Sequence, residues 1–447
     1  MTSIKIIKKI FPAIVLLFVG INIINGQNSV ADKGISIVDS LSLRNIIERA
    51  VSSHPSVKVA EEAINNADAR IALAKTGYLP EADITANYSN IGPVTELAIP
   101  NFGTFKLFPE NNYSASINYR QLVYDFGRTR QNIEIENGSK NIAQQNIGQV
   151  KQRISLLAVN NYYTLLFLQA AIKIKDEQLA ALKSHLEYVR KMMATGSATE
   201  YQILATEVKV STVESQKVDL VATLTAQQAS LNSLLGNDQK VAPVVRNELN
   251  TEIPVVLSDS LLAFAFRNRD EVLLNERKTS LAGLKLDLIR LQNKPVINFV
   301  ASAGGKNGYV PELGQIKANY VLGIGIRVPI FDGNKNRYNI SQAQSAITSL
   351  SYESEYTKRN VSNEIQEAEA YMFAAGKKVT QFELQVKQAL KAYSLAETSF
   401  QAGTITNLDL LDANTSVSES RLMLLKARID YAASVYKLKV ALGEKIY

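Results

Sequence analysis

Apolar positions follow two different periods along this chain. Four segments alternate at every second residue, the pattern of strands with two unlike faces. Over about 81–91, Ile84, Ala86 and Tyr88 alternate with Asp83, Thr85 and Asn87. Over about 112–124, Tyr113, Ala115, Ile117 and Tyr119 alternate with Ser114, Ser116 and Asn118. Over about 295–304, Ile297, Phe299, Ala301 and Ala303 share one face. Over about 318–330, Tyr320, Leu322, Ile324, Ile326 and Val328 lie opposite Asn319, Gly323, Gly325 and Arg327. Each segment approximates the roughly 9–11 residues of a membrane-crossing strand. One apolar and one polar face suit a barrel wall between lipid and water.

Elsewhere the period is helical. Between Arg128 and Thr195 there is no proline, and the interior glycines are Gly138 and Gly148. A helix of that span is roughly 100 Å long. Ile172, Leu179, Leu182, Leu186, Val189 and Met193 recur at coiled-coil spacing, as do Leu425, Ile429, Ala432 and Tyr436. Segments 91–111 and 305–317, rich in Gly, Pro, Asn and Phe, read as surface loops. Asp125-Phe126-Gly127 and Phe331-Asp332-Gly333 read as strand-to-helix junctions.

The landmarks run twice. Residues 41–89 and 256–304 correspond at an offset of 215, Pro80 falling on Pro295. Later landmarks correspond at 207, Gly196 on Gly403 and Leu235-Gly236 on Leu442-Gly443. The chain therefore reads as two units, 41–236 and 258–447, each helix, strand, strand, very long helix, helix. A polar connector, 237–257, holds Pro243 and Pro254. Before them, residues 1–26 have the basic start, apolar core and small-residue exit of a secretory signal, and 27–40 form an N-terminal extension.

Composition narrows the function. Among the 447 residues cysteine is absent, which excludes disulfides, thiolate nucleophiles and lipid anchoring through an N-terminal cysteine. The two histidines, His54 and His185, are far apart and read as surface or packing residues. No metal cluster, nucleophile–base set or phosphate loop is visible, so neither an enzyme nor a cofactor is expected. Asp125-Phe126-Gly127 is also a kinase-like triplet, but no glycine-rich nucleotide loop accompanies it. Without Lys5, Lys8 and Lys9 of the signal, the formal charge of +7 falls to +4, too modest for a nucleic-acid binder. Four strands cannot close a barrel around a lumen, and open edges are not tolerated in lipid. Strands that span a membrane here would require several chains to share one barrel.

Three motifs carry a resemblance: Gly77-Tyr78-Leu79-Pro80 before the first strand, Val328 to Gly333 after the fourth, and Gly403 to Ala413 at a helix turn. With the doubled order, they make the chain similar to the TolC-like outer membrane efflux proteins over about residues 40–443. The resemblance implies a mostly α fold with membrane strands: a homotrimer, a 12-stranded β-barrel and a long coiled-coil α-helical barrel. It implies a passive duct in the outer membrane of a Gram-negative bacterium, with a long periplasmic extension; the absent cysteine leaves no lipid tether, unlike lipidated members of the family. Partners would be a periplasmic adaptor and an inner-membrane transporter, for which a proton-driven pump of drugs or small molecules is the favoured reading. Protein secretion of type I and metal-ion efflux are alternatives within the class. A soluble periplasmic coiled-coil scaffold is the alternative outside it.

The resemblance also assigns residues. Asp409 and Asp412 fall on the carboxylates that ring the periplasmic gate. Six such carboxylates in a trimer would repel one another, raise some pKa values and favour cations. The plainer reading is two acids stabilising the positive end of a helix. Ile405 and Gln202 stand where the best-known member has an ionic latch, so that latch is expected to be missing. Gly196, Ser197, Gly403 and Thr404 fall at adaptor-contact turns, where the glycines also fit left-handed helix caps. Tyr88, Tyr113, Tyr119 and Tyr320 could form an aromatic girdle, or pack as ordinary cross-strand neighbours.

Overall fold

The computed structural model describes residues 40–100, 103–249 and 258–447. The expected signal, most of the extension after it and the end of the connector lie outside the described residues.

Six strands form. β1 (Glu81–Asn90), β4 (Asn111–Tyr124), β5 (Val296–Lys306) and β6 (Lys317–Arg327) make one antiparallel sheet in the order β1–β4–β5–β6. β2 (Glu96–Ile99) and β3 (Gly103–Lys106) form a separate hairpin inside a segment read from sequence as loop. The fourth strand was expected to reach residue 330 but stops at Arg327. Pro329 follows, and it has no N–H to continue a ladder.

The register decides what this sheet is for. Ile84 lies opposite Ile117, which lies opposite Ala303, which lies opposite Tyr320. The rows Ala82–Tyr119–Ala301–Leu322 and Gln121–Phe299–Ile324 run likewise across the strands. Directly opposed residues project to the same side, so the apolar positions of all four strands merge into one face. That face is open: Ile84, Tyr320 and Ile324 are each more than 70% exposed. The other face is polar and internally bonded. Asn118 donates to Asp83 (3.0 Å) and Thr85 (3.0 Å), and Thr85 and Ser116 share a hydrogen bond of 3.2 Å. β1 and β6 are edges with no partner strand among the described residues.

Helices continue from one end of the sheet. α1 (Leu43–Ser53) and α2 (Pro55–Lys75) precede β1; α3 (Arg128–Ala194) and α4 (Glu200–Leu235) follow β4. α5 (Ser258–Asn268) and α6 (Asp270–Leu291) precede β5; α7 (Lys335–Gln401) and α8 (Asn407–Ala441) follow β6. α3 and α7 have 67 residues each, and α4 and α8 have 36 and 35. The helix starts also match. Asp125 accepts from the Thr129 N–H (2.6 Å) and Asp332 from the Asn336 N–H (2.9 Å), each four residues on.

α3 and α7 pass other helices in succession. Near the sheet, α3 meets α2 through Lys140–Asp68 (2.6 Å) and α6 through Gln131, which donates to the Leu284 carbonyl (2.9 Å). Further on it meets α4 through Lys183–Glu214 (2.7 Å) and α8 through Arg421–Glu177 (2.7 Å). The exchange happens where α8 ends and α6 begins. There the buried Arg269 guanidinium donates to the carbonyl of Ala441 (3.1 Å) and pairs with Glu364 and Glu271. A buried cation is stable only when paired and bonded in this way. The expected seam is largely buried: Leu179, Leu182, Leu186 and Val189 are inside, while Met193 at its end is exposed. A separate core joins α1, α3, α4, α8 and Val245 of the connector around Tyr162. Its hydroxyl donates to the Arg246 carbonyl (2.6 Å), and burial pushes that phenol up to about 12.

Candidate functional site

The end farthest from the sheet is made by two helix turns of the same design. At the end of α3, Gly196 has φ +74°, its N–H donates to Met193, and the Ser197 N–H donates to Met192. At the end of α7, Gly403 has φ +71°, its N–H donates to Phe400, and the Thr404 N–H donates to Ser399. Both are left-handed caps in which glycine carries no steric penalty. The next helices start alike. The Gln202 side chain accepts from the Thr199 N–H (3.0 Å), and the Asp409 carboxylate accepts from the Thr406 N–H (2.9 Å) and hydroxyl (2.6 Å). These are capping boxes, closing each helix start with its own third residue.

Asp409 is therefore engaged within its own chain. The Thr406 hydroxyl and then the Thr406 N–H hold its carboxyl below the ordinary carboxylate range. A lowered native value makes the cap contribute above the ordinary range and fade as pH falls through the lowered value. We expect amide exchange at residues 406–410 to stay slow through mild acid and quicken only below the ordinary range. Asp409→Asn should abolish that pH dependence, as read by hydrogen exchange.

The other assigned residues divide. Asp412 is exposed on α8, one turn beyond Asp409, and its carboxylate has no partner among the described residues. Gln202 belongs to its own cap rather than to a latch. Ile405 is half-buried and packs with Val189, Phe400 and Leu410, an apolar contact. Tyr88 and Tyr113 pair at the loop end of the sheet, ring centres 5.1 Å apart. Tyr320 sits nearer mid-strand, opposite Ala303. Tyr119 lies at the helix end, edge-on to Phe299 (6.0 Å). The four tyrosines thus occupy more than one level. At the helix end they are joined by exposed Tyr124, Phe126, Ile330 and Phe331, which alternation alone did not single out.

Both histidines do more than pack. The His54 ring accepts from the Ser56 N–H (3.2 Å) and caps α2. His185 bonds Asn407 (2.6 Å), and the Asn407 amide donates to the Gln202 carbonyl and the Thr206 hydroxyl, each at 3.2 Å. Nothing in the local sequence announces this contact, since its partners are over 200 residues apart. Among the described residues, no group of three or more His, Asp or Glu side chains is placed to hold a metal ion. No helix there is long and apolar enough to cross a membrane.

An antiparallel sheet with one exposed apolar face, continued by two helical hairpins that far outrun it, defines a membrane-channel class of fold. The chain belongs to the outer membrane efflux protein family, whose profile it matches over residues 46–237 and 281–444. It is 21% identical over 414 residues to nodulation protein T of Rhizobium leguminosarum bv. trifolii, covering 90% of this chain and 85% of that one. It is 20% identical over 420 residues to the proteases secretion protein PrtF of Dickeya chrysanthemi, covering 90% and 88%. The fold matches the outer membrane protein VceC of Vibrio cholerae with a TM-score of 0.72 at 19% identity, covering 90% and 96%.

Proposed function

We propose that three copies of this chain close a 12-stranded barrel in the outer membrane and continue as one helical tunnel into the periplasm. The observation that carries this reading is the sheet: one continuous apolar face, one polar face and two edges without partner strands among the described residues. Lipid covers the first face and water the second, and neighbouring copies complete the edges. The two units of matched helices and strands are read as a duplication. The chain makes no bonds. It carries small molecules outward for an inner-membrane pump, coupled through a periplasmic adaptor that contacts Gly196, Ser197, Gly403 and Thr404. Asp412, exposed and unpartnered near the turns, supplies the negative charge of the gate. Asp409 serves the gate through the cap it forms.

The test is native mass and single-channel conductance of detergent-extracted protein in a planar bilayer. A species near three times the mature chain, conducting cations in preference to anions, is expected. Asp412→Asn should weaken that preference while leaving the trimer intact. A protein that extracts in plain buffer and conducts nothing would replace the duct with a periplasmic scaffold. The similarity to PrtF supports a second reading within the class, a duct for secreted protein. Loss of small-molecule resistance against loss of secretion, in a strain lacking the gene, separates the two.

A further inference from the structure

We propose that His185 is a positioning residue of the tunnel end: with Asn407 it ties the α7–α8 turn to the α3–α4 hairpin and limits how far that end opens. The proposal rests on reading these turns as the gated end of a duct. It concerns which contact holds them.

The tie joins all four helices of the tip. His185 stands on α3, its ring edge-on to Phe400 of α7 (5.2 Å) and bonded to Asn407 of α8. Asn407 in turn reaches the Gln202 carbonyl and the Thr206 hydroxyl on α4. Asn407 is 3% exposed and Thr206 is fully buried. The amide is used completely. Its nitrogen donates to two oxygens, so its oxygen must accept, and the proton on that bond belongs to the His185 Nε2.

Other contacts between the two hairpins at this end are weaker holds. Apolar packing of Val189, Leu410 and Ile405 has no direction and lets helices slide. The Arg421–Glu177 pair is solvent-exposed and contributes little. A buried amide differs, because separating the hairpins strips it of partners before water can replace them.

The tie is also not something the turn itself demands. At the 207-residue offset, Asn407 corresponds to Glu200 and His185 to Ala392. The first turn makes the same left-handed cap and the same capping box without them. The pair therefore serves the joint between hairpins.

The experiment is single-channel recording of the full chain in planar bilayers, with folding checked by far-UV circular dichroism. His185→Leu keeps bulk and removes the donor. It is expected to raise occupancy of the wide-open level on the order of tenfold, the effect of one lost directional bond. Asn407→Leu cuts the same tie from α8 and should do the same, carrying the test if His185→Leu does not fold. His185→Gln restores an N–H donor and should stay within about twofold of the wild type. Leucine variants that gate like the wild type would overturn the proposal while leaving the duct intact. So would a glutamine variant as open as His185→Leu while Asn407→Leu gates like the wild type, since ring stacking on Phe400 would then be the hold. A wild-type protein that forms no channel would overturn the duct reading itself, and the proposal with it.

Discussion

Replacing Arg128 with alanine is expected to destabilise the protein by about 3 kcal/mol. The Arg128 side chain starts α3 and reaches across to the end of α6. Its Nε donates to the Leu291 carbonyl (2.8 Å), and its Nη2 donates to those of Gln292 (2.7 Å) and Lys294. The final carbonyls of a helix have no partner within it. Here one planar cation satisfies three backbone carbonyls at that end, with the positive charge placed against the negative end of the helix dipole. Those carbonyls lie just before β5, so the same contact fixes where the second half of the sheet leaves the helices. Arg128→Lys keeps the charge but loses the fork, and should recover only part of the stability. Thermal melting of the detergent-solubilised chain, followed by loss of helical circular dichroism at one fixed scan rate, gives the order wild type, Lys, Ala. Equal midpoints for all three would mean that the α6 end is held by packing alone.

Arg128 also shows where reading a sequence stops. The strands, the long helices and the two glycine turns were legible because each is a local pattern: period two, coiled-coil spacing, a glycine between two helical runs. The two triplets read as strand-to-helix junctions do begin helices, and within them Asp125 and Asp332 each accept from an N–H of the first turn. Arg128 has no such signature. Its targets are 163 to 166 residues away, and its counterpart at the 207 offset, Lys335, makes no equivalent set of bonds among the described residues. His185 was hidden for the same reason. A lone histidine on a helix is bland until folding brings a buried amide to it. Asp409 was legible in position, and the plainer of its two readings, an acid at a helix start, is the one the capping box fits. The identity of its partners was not legible: both the hydroxyl and the N–H of Thr406 donate to the carboxylate. Loops were the remaining difference. The β2–β3 hairpin is four residues a side, too short for alternation to stand out from a segment rich in turn formers.

The sheet offers the sharpest division between a membrane wall and a soluble domain, and Ile84→Arg against Asn87→Arg is the pair of changes that makes it. The two residues lie on one strand, β1, and on opposite faces: Ile84 with Ile117 on the apolar side, Asn87 with Ser114 on the polar side. Both are exposed in the protomer. In a water-soluble domain, neither arginine would meet more than solvent, and Ile84→Arg would if anything improve solubility by interrupting an apolar patch. In a barrel the outcomes separate. Ile84 lies near the middle of its strand, where an arginine facing lipid costs roughly 2–4 kcal/mol. Asn87→Arg adds its charge to a water-filled lumen and leaves insertion untouched. We expect Ile84→Arg to reduce the amount of assembled protein in the outer membrane several-fold, and Asn87→Arg to assemble normally with lowered cation conductance. Quantitative blotting of membrane fractions and bilayer recording measure the two effects separately. If both variants reached wild-type levels and neither altered conductance, the apolar face would not be in lipid, and the exposed surface on Ile84, Tyr320 and Ile324 would need a protein partner instead.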